Sequence, residues 1–286
     1  MGILRKLFGA QPQPTADGAF SPSPLAIKLG TSSTTDYDGG AYAKRYEGTR
    51  NRVLMVCTEE RNMTMANGKK FSTGNHPVEM GLPMLHLLNA GFEIDVVTPT
   101  GEPVAIEMWA MPADDADVQK LFEDYAETFE NPGSLADFVA NKMDDSASYA
   151  AVYIPGGHGA MLGLPENADL GKVLHWAHNS DLFTLALCHG PAALLVANDE
   201  DGFLYDGYKM TVFPDSVDKQ TPLIGYLPGP MPWWVGEKLT AAGAEITNTK
   251  ADDSCLVDRR LITGASPKAA NAFGRLAAAS LLKAGH

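Results

Sequence analysis

The chain has 286 residues, with 22 basic and 35 acidic side chains, a formal charge of −13 at pH 7 and three cysteines. That length can bury one large core, alone or with a smaller appendage; the field of so acidic a chain repels phosphate backbones, which excludes tight nucleic-acid binding and leaves free nucleotides open as substrates. Cys57, Cys188 and Cys255 are far apart with no C-x-x-C pair, so neither a zinc knuckle nor a disulfide framework is expected, and the expected compartment is the reducing cytoplasm.

The opening MGILRKLFGA is basic and apolar, but its apolar part is too short for a signal peptide, and position 6 lacks the Ser or Thr of a myristoylation site. No stretch reaches the roughly 18 uninterrupted apolar residues of a membrane span, so no membrane partner is expected. Residues 1–34, rich in Pro, Gly, Ser and Thr, read as a flexible tail, and the irregular lead-in up to about residue 50 starts no core. Arg52–Thr58 is the first strand; a helix over Pro77–Asn89 stops at Gly91, and Phe92–Thr98 completes a βαβ unit. Strand-like Val104–Glu107 and two acidic helices, Asp115–Phe129 and Ser134–Met143, then interrupt the alternation. The stretch of about 100–145 that they occupy is expected to form a small cap with about 35–50 and 60–75. Alternation resumes with Tyr149–Ile154, a Gly-rich loop, a helix over Ala168–His178, a strand over Leu182–Leu187, a helix over Ala192–Ala197 and a strand near Tyr208–Phe213. A helix over Trp233–Ala242, a strand over Ala244–Thr247, a hairpin over Ser254–Thr263 and a helix over Pro267–Lys283 close the chain. Such alternation predicts an α/β fold, a doubly wound and mostly parallel flavodoxin-like sheet over residues 35–284, with its ligand site at the carboxyl ends of the strands.

The most informative segment is LFTLALCHGPAALLVAN, residues 182–198, which places Cys188 where a strand turns directly into a helix. A side chain there stands above the sheet edge, and the N–H groups and positive dipole end of the following helix favour the nucleophilic thiolate. The rival reading is one more buried structural cysteine, which is the role assigned to Cys57 and Cys255. In the loop Pro155-Gly156-Gly157-His158-Gly159 the glycines resemble a nucleotide fingerprint, but Leu164-Pro165 stands where its helix would begin. Paired glycines aiming N–H groups at a reacting oxygen suit it better, against a plain turn. No histidine occurs between Gly190 and Gly285, which excludes every scheme in which a base follows the nucleophile at a distance. The partner of Cys188 is therefore His189 or an upstream histidine, with His158 second in rank and His86 read as core. Glu79, in the first turn of its helix, can hold a proton beside a thiolate or serve only as a dipole partner. After the 208–213 strand, Asp215 and Asp218 could each orient a histidine, and the pattern alone does not choose.

Five runs together, NGKKFSTGNHPVE (67–79), WAMP (109–112), PGGHGAMLGLPE (155–166), LCHGPAALL (187–195) and FPDSVDKQTP (213–222), resemble the PfpI superfamily of class I glutamine-amidotransferase-like proteins, and most closely its bacterial heat-shock chaperone, glyoxalase III and protein deglycase branch. The resemblance implies Cys188 as nucleophile, His189 beside it, Asp218 as third member, Glu79 holding a proton, and Gly157 with the His189 N–H as oxyanion pocket. It also implies a homodimer with a capping subdomain. Similar proteins carry a two-histidine, one-carboxylate metal site; here Glu93 keeps the carboxylate, but Leu88 and Tyr125 stand at the histidine positions, so no metal and no other cofactor is expected. The implied activity is conversion of methylglyoxal, or of its early adducts with proteins or nucleotides, to lactate. The alternatives are a holding chaperone for unfolded proteins, presenting Met63, Met65, Met108 and Met111, and a cysteine amidase or peptidase.

Overall fold

A computed structural model describes residues 9–143 and 147–285. Seven strands form the central sheet: β1 (Arg52–Val56), β2 (Glu93–Thr98), β3 (Gly133–Ser134), β4 (Tyr149–Ile154), β5 (Phe183–Leu187), β6 (Cys255–Asp258) and β7 (Leu261–Gly264). Their order is β6-β7-β5-β4-β1-β2-β3, parallel except for the β6–β7 hairpin. β4, YAAVYI, is buried at every position, and β5, FTLAL, likewise; a parallel strand covered by helices on both faces needs a continuous apolar run rather than alternation.

Nine α-helices accompany the sheet in the described residues: α1 (Pro24–Gly30), α2 (Pro77–Asn89), α3 (Ala116–Asp124), α4 (Ala126–Glu130), α5 (Leu135–Asn141), α6 (Ala168–Asn179), α7 (Asp215–Asp218), α8 (Val235–Ala241) and α9 (Ala270–Ala284). Pro77 at its first turn starts α2, because a proline there forfeits an N–H that would have no partner in the helix. Helices α2 and α9 pack closely: a Cβ added at Gly274 would lie 2.9 Å from Pro83 Cα. His86 is a satisfied core residue, its ring nitrogens 2.7 Å from Tyr42 Oη and 2.7 Å from Asn271 Oδ1.

The folded chain departs from the sequence pattern in several places. The segment read as a tail is built into the molecule from residue 9 onward, while residues 1–8 lie outside the described residues. Gln13–Pro14 and Phe20–Ser21 join the hairpin of 62–64 and 70–72 in a four-stranded sheet. Ser23 caps α1 at Ala26 N and ties it to Gly225 and Ile224, and Ala19 and Ala26 are fully buried. The expected cap is redistributed: α3 packs on α2 and α5 on α6, beside the sheet, while 144–145 lie outside the described residues. Val104–Glu107 forms only an isolated bridge, Asn75 to Ile106, and the expected 115–129 helix breaks at Tyr125. Residues 190–197 wind as a 3-10 helix rather than an α-helix. Its tighter coil passes where a Gly190 Cβ would come 2.6 Å from Ile154 O. Lys209–Met210 pairs with Glu245–Ile246 outside the main sheet, because side chains take the next bonds: Thr211 N donates to Thr263 Oγ1 at 2.9 Å and Val212 N to Asn248 Oδ1 at 3.0 Å. Met63 and Met65 are buried and offer no binding surface; Met108 is exposed. Cys57 is in the core, whereas Cys255 is only half-buried on the edge strand. No helix among the described residues is long and apolar enough to cross a membrane.

Candidate active site

The switch in strand order beside β1 brings three chain segments to one sheet edge: the first turn of α2 after β1, the glycine loop after β4 and the turn after β5. Cys188 leaves β5 with φ 61°, a conformation unusual outside glycine. Both its peptide groups are held, its N–H by Gly264 O at 2.8 Å and its carbonyl by Phe213 N at 2.9 Å. The sulfur is thereby turned out of the strand toward its neighbours, and the side chain remains buried.

His189 Nδ1 lies 3.3 Å from Cys188 Sγ, and its Nε2 lies 2.8 Å from Asp218 Oδ2. His158 Nε2 reaches the other oxygen of the same carboxylate at 3.1 Å. The imidazoles lie over each other with centroids 4.0 Å apart, and Phe213 stacks on His189 at 4.7 Å. Burial disfavours an ionised Asp218, but the two imidazoles outweigh it and hold the carboxyl well below its ordinary range. An ionised carboxylate only accepts, so both Nε2 atoms donate and His189 Nδ1 is left to accept the thiol proton. Burial, then His158, keep His189 below its ordinary value; burial also opposes charging His158, but Asp218 and Glu107 carry that residue upward. The geometry therefore selects Asp218 over Asp215. Asp215 instead accepts from Gly236 N and Glu237 N, both at 2.9 Å, and caps α8.

Glu79 is fully buried, and its carboxyl oxygens have no other protein group in ordinary hydrogen-bond geometry than the thiol they face. Burial, with a smaller contribution from Glu107, pushes Glu79 well up although the Cys188 thiol pulls it down; burial and then Glu79 push Cys188 well up, while the Gly157 N–H pulls the thiol down. The expected helix-end stabilisation of a free thiolate is thus outweighed, and ionisation of the thiol requires transfer of its proton to a neighbouring group. Glycine is required in this loop. A Cβ on Gly156 would fall on Glu79 Oε2 and lie 2.7 Å from Cys188 Cβ, and Gly157 has φ 103°.

A cavity of about 230 Å³ leads to His158 and Asp218 past His76, Trp109 and Tyr226. Sequence reasoning did not assign the last three, nor Glu107, a buried acid pushed up to about 7 by burial and hydrogen-bonded by Thr73 Oγ1 at 2.7 Å. Only their clustering within the quoted runs marked His76 and Trp109; Tyr226 and Glu107 carry no local signature. A larger groove of about 490 Å³ between Gln11, Lys69 and Pro228 reaches none of the site residues.

The metal site implied by resemblance does not fit. Glu93 is exposed, 3.3 Å from Asn51 Nδ2 and 3.8 Å from Arg52, and neither Leu88 nor Tyr125 supplies imidazole. Among the described residues one group has ligand spacing, His158, His189 and Asp218, whose ligand atoms lie within 4.8 Å of one another. Their hydrogen bonds already account for that closeness.

The DJ-1/PfpI family model matches residues 71–280. The chain is 47% identical over 268 residues to the protein/nucleic acid deglycase HchA of Escherichia coli O157:H7 (strain EC4115 / EHEC), covering 94% of each chain. It is similar to the same extent to protein/nucleic acid deglycase 1 of Escherichia coli (strain K12). The crystal structure of glyoxalase III from Candida albicans superposes with a TM-score of 0.64 at 23% identity, covering 83% of this chain and 98% of that one, a likeness of fold. With a family model spanning most of its length and relatives near half identical along nearly all of it, this chain belongs to the DJ-1/PfpI family.

Proposed function

We propose that this chain is a glutathione-independent glyoxalase III and deglycase, acting without a cofactor on methylglyoxal and on its early adducts with proteins or nucleotides, as a cytoplasmic homodimer. The observation that carries the reading is the relay from Cys188 Sγ through His189 to Asp218, with the buried Glu79 carboxyl facing the same thiol. His189 Nδ1 takes the thiol proton, and the thiolate adds to the aldehyde carbon. The Gly157 and His189 N–H groups hold the hemithioacetal oxygen. Glu79 gives its own proton to that oxygen and then, as carboxylate, moves the proton from the former aldehyde carbon to the neighbouring ketone carbon, so one carbon is oxidised as the other is reduced and no external electron acceptor enters. The resulting thioester is hydrolysed by water to lactate, freeing the thiol. With an adduct the carrier amine leaves as the same acid is released. The names of the relatives and the fold shared with glyoxalase III support this reading.

The test is lactate formation from methylglyoxal, without glutathione, by wild type and Cys188→Ala. The alanine variant should fold and lose at least about a hundredfold in rate. Substantial retained turnover would overturn the assignment of Cys188. Suppression of protein aggregation that is indifferent to Cys188→Ala, in a protein inert toward methylglyoxal, would favour the holding chaperone.

A further inference from the structure

The cavity over His158 and Asp218 continues outward into a second one of about 230 Å³, and the two share Leu29, Gly30, Thr31, His76, Pro267 and Lys268. Among all the residues lining either, Lys268 and Asp218 alone carry formal charge, and Asp218 is committed to the two histidines. Lys268 is exposed, on the 3-10 turn Pro267–Ala269 that follows β7, and its ammonium has no ion-pair partner among the described residues. The acids nearest to it in the chain, Asp258, Asp253 and Asp252, line neither cavity. A carboxylate-free entrance with an unspent cation is unexpected on a chain of charge −13.

The inner wall adds an independent observation. Trp109 Nε1 is buried without an acceptor, and an indole N–H can only donate. His76, buried with an unpartnered Nδ1, is kept neutral by burial, which lowers it to about 3. A buried indole donor left without a partner favours an occupant that offers it an acceptor oxygen, and the neutral His76 nitrogen can donate or accept beside it.

Resting on the reading of the site as one for α-oxoaldehydes, we propose that Lys268 is a specificity residue selecting substrates that carry an anionic group, carboxylate or phosphate, beyond the two carbonyls. The ketone oxygen lies toward Trp109 and His76 while the aldehyde oxygen meets the Gly157 and His189 N–H groups, and the anion emerges beside the ammonium in the outer cavity.

The experiment compares kcat/KM for three compounds: an α-oxoaldehyde ending in a carboxylate, its uncharged primary amide of the same length, and an α-oxoaldehyde ending in phosphate. At low salt, wild type should prefer an anionic form by about five- to tenfold, as one partly screened charge contact allows, and the preference should shrink as salt rises. Lys268→Glu should reverse the ratio and Lys268→Arg should keep it. A preference confined to one anion assigns the natural group as that anion. Wild type that turns over methylglyoxal yet treats charged and uncharged forms alike, or a Lys268→Glu enzyme that keeps the preference, would overturn the proposal alone. Failure to turn over methylglyoxal and all three compounds would overturn the underlying reading and this one with it.

Discussion

Glu79 and Cys188 are both held in their neutral forms chiefly by burial, where water cannot help either ionise, and Glu79 raises the thiol further. Glu79→Gln keeps the shape of that contact and removes the titrating oxygen. It should lower turnover by about 10²–10⁴, the range for a lost general acid–base group, while the thiol remains alkylatable; full activity would move the relay to His189 or His158. Glu107 permits a test by pH. Its folded value of about 7 lies above the ordinary 4.5, so the folded chain binds its proton more tightly than the unfolded chain. The stabilisation is complete below about pH 4.5 and is lost as pH rises through about 7, on the order of 3 kcal/mol in all. Urea denaturation should show Glu107→Gln gaining on wild type across that window and holding its advantage above it. A gap that does not change with pH would contradict the assignment.

At the scale of elements, α7 divides its two carboxylates between different tasks. Asp215, at its start, supplies the cap of α8, and Asp218, three residues on at its end, binds the histidines. Asp215→Ala should therefore cost about 1 kcal/mol of stability, the usual worth of a cap, with kcat little changed in the folded enzyme. Asp218→Asn should leave the melting temperature closer to wild type and depress kcat, because Asn can no longer fix both imidazoles as donors toward it. The reverse pattern in paired thermal melts and kinetics would mean that the two acids exchange roles. The turn after β5 follows the same logic: the strained Cys188 backbone is held by Gly264 and Phe213, so the nucleophile's pose belongs to β7 and the 211–213 segment as much as to its own strand.

On the scale of the whole molecule, the N-terminal segment closes over an edge built from residues some 200 positions away: Ser23 is bonded to Ile224, and α1 residues line both cavities. The same scale decides the metal question. Glu93 at the opposite end of β2 is engaged by Asn51 and Arg52, and no imidazole joins it. Dialysis against chelator should leave turnover and melting temperature unchanged, and elemental analysis should find well under one equivalent of zinc per chain. Stoichiometric zinc whose removal abolishes activity would instead point to His158, His189 and Asp218 as its ligands.

The sequence by itself determined the sheet's buried strands and helix α2, because their apolar runs, Pro77 and the stop at Gly91 act locally. It also determined Cys188-His189 and the glycine loop, since a nucleophile at a strand end and a backbone passing within contact of another need particular residues in consecutive positions. Only the tertiary structure decided between Asp215 and Asp218, drew His158 onto the same carboxylate, and placed Glu107, Tyr226, Trp109 and His76 around the site. It likewise turned an apparent tail into a wall of the cavity and left Lys268 at its mouth. Those outcomes rest on hydrogen bonds and packing between residues tens to hundreds of positions apart, and on burial, which shifts the thiol, the acids and the imidazoles without leaving a periodic trace in the chain.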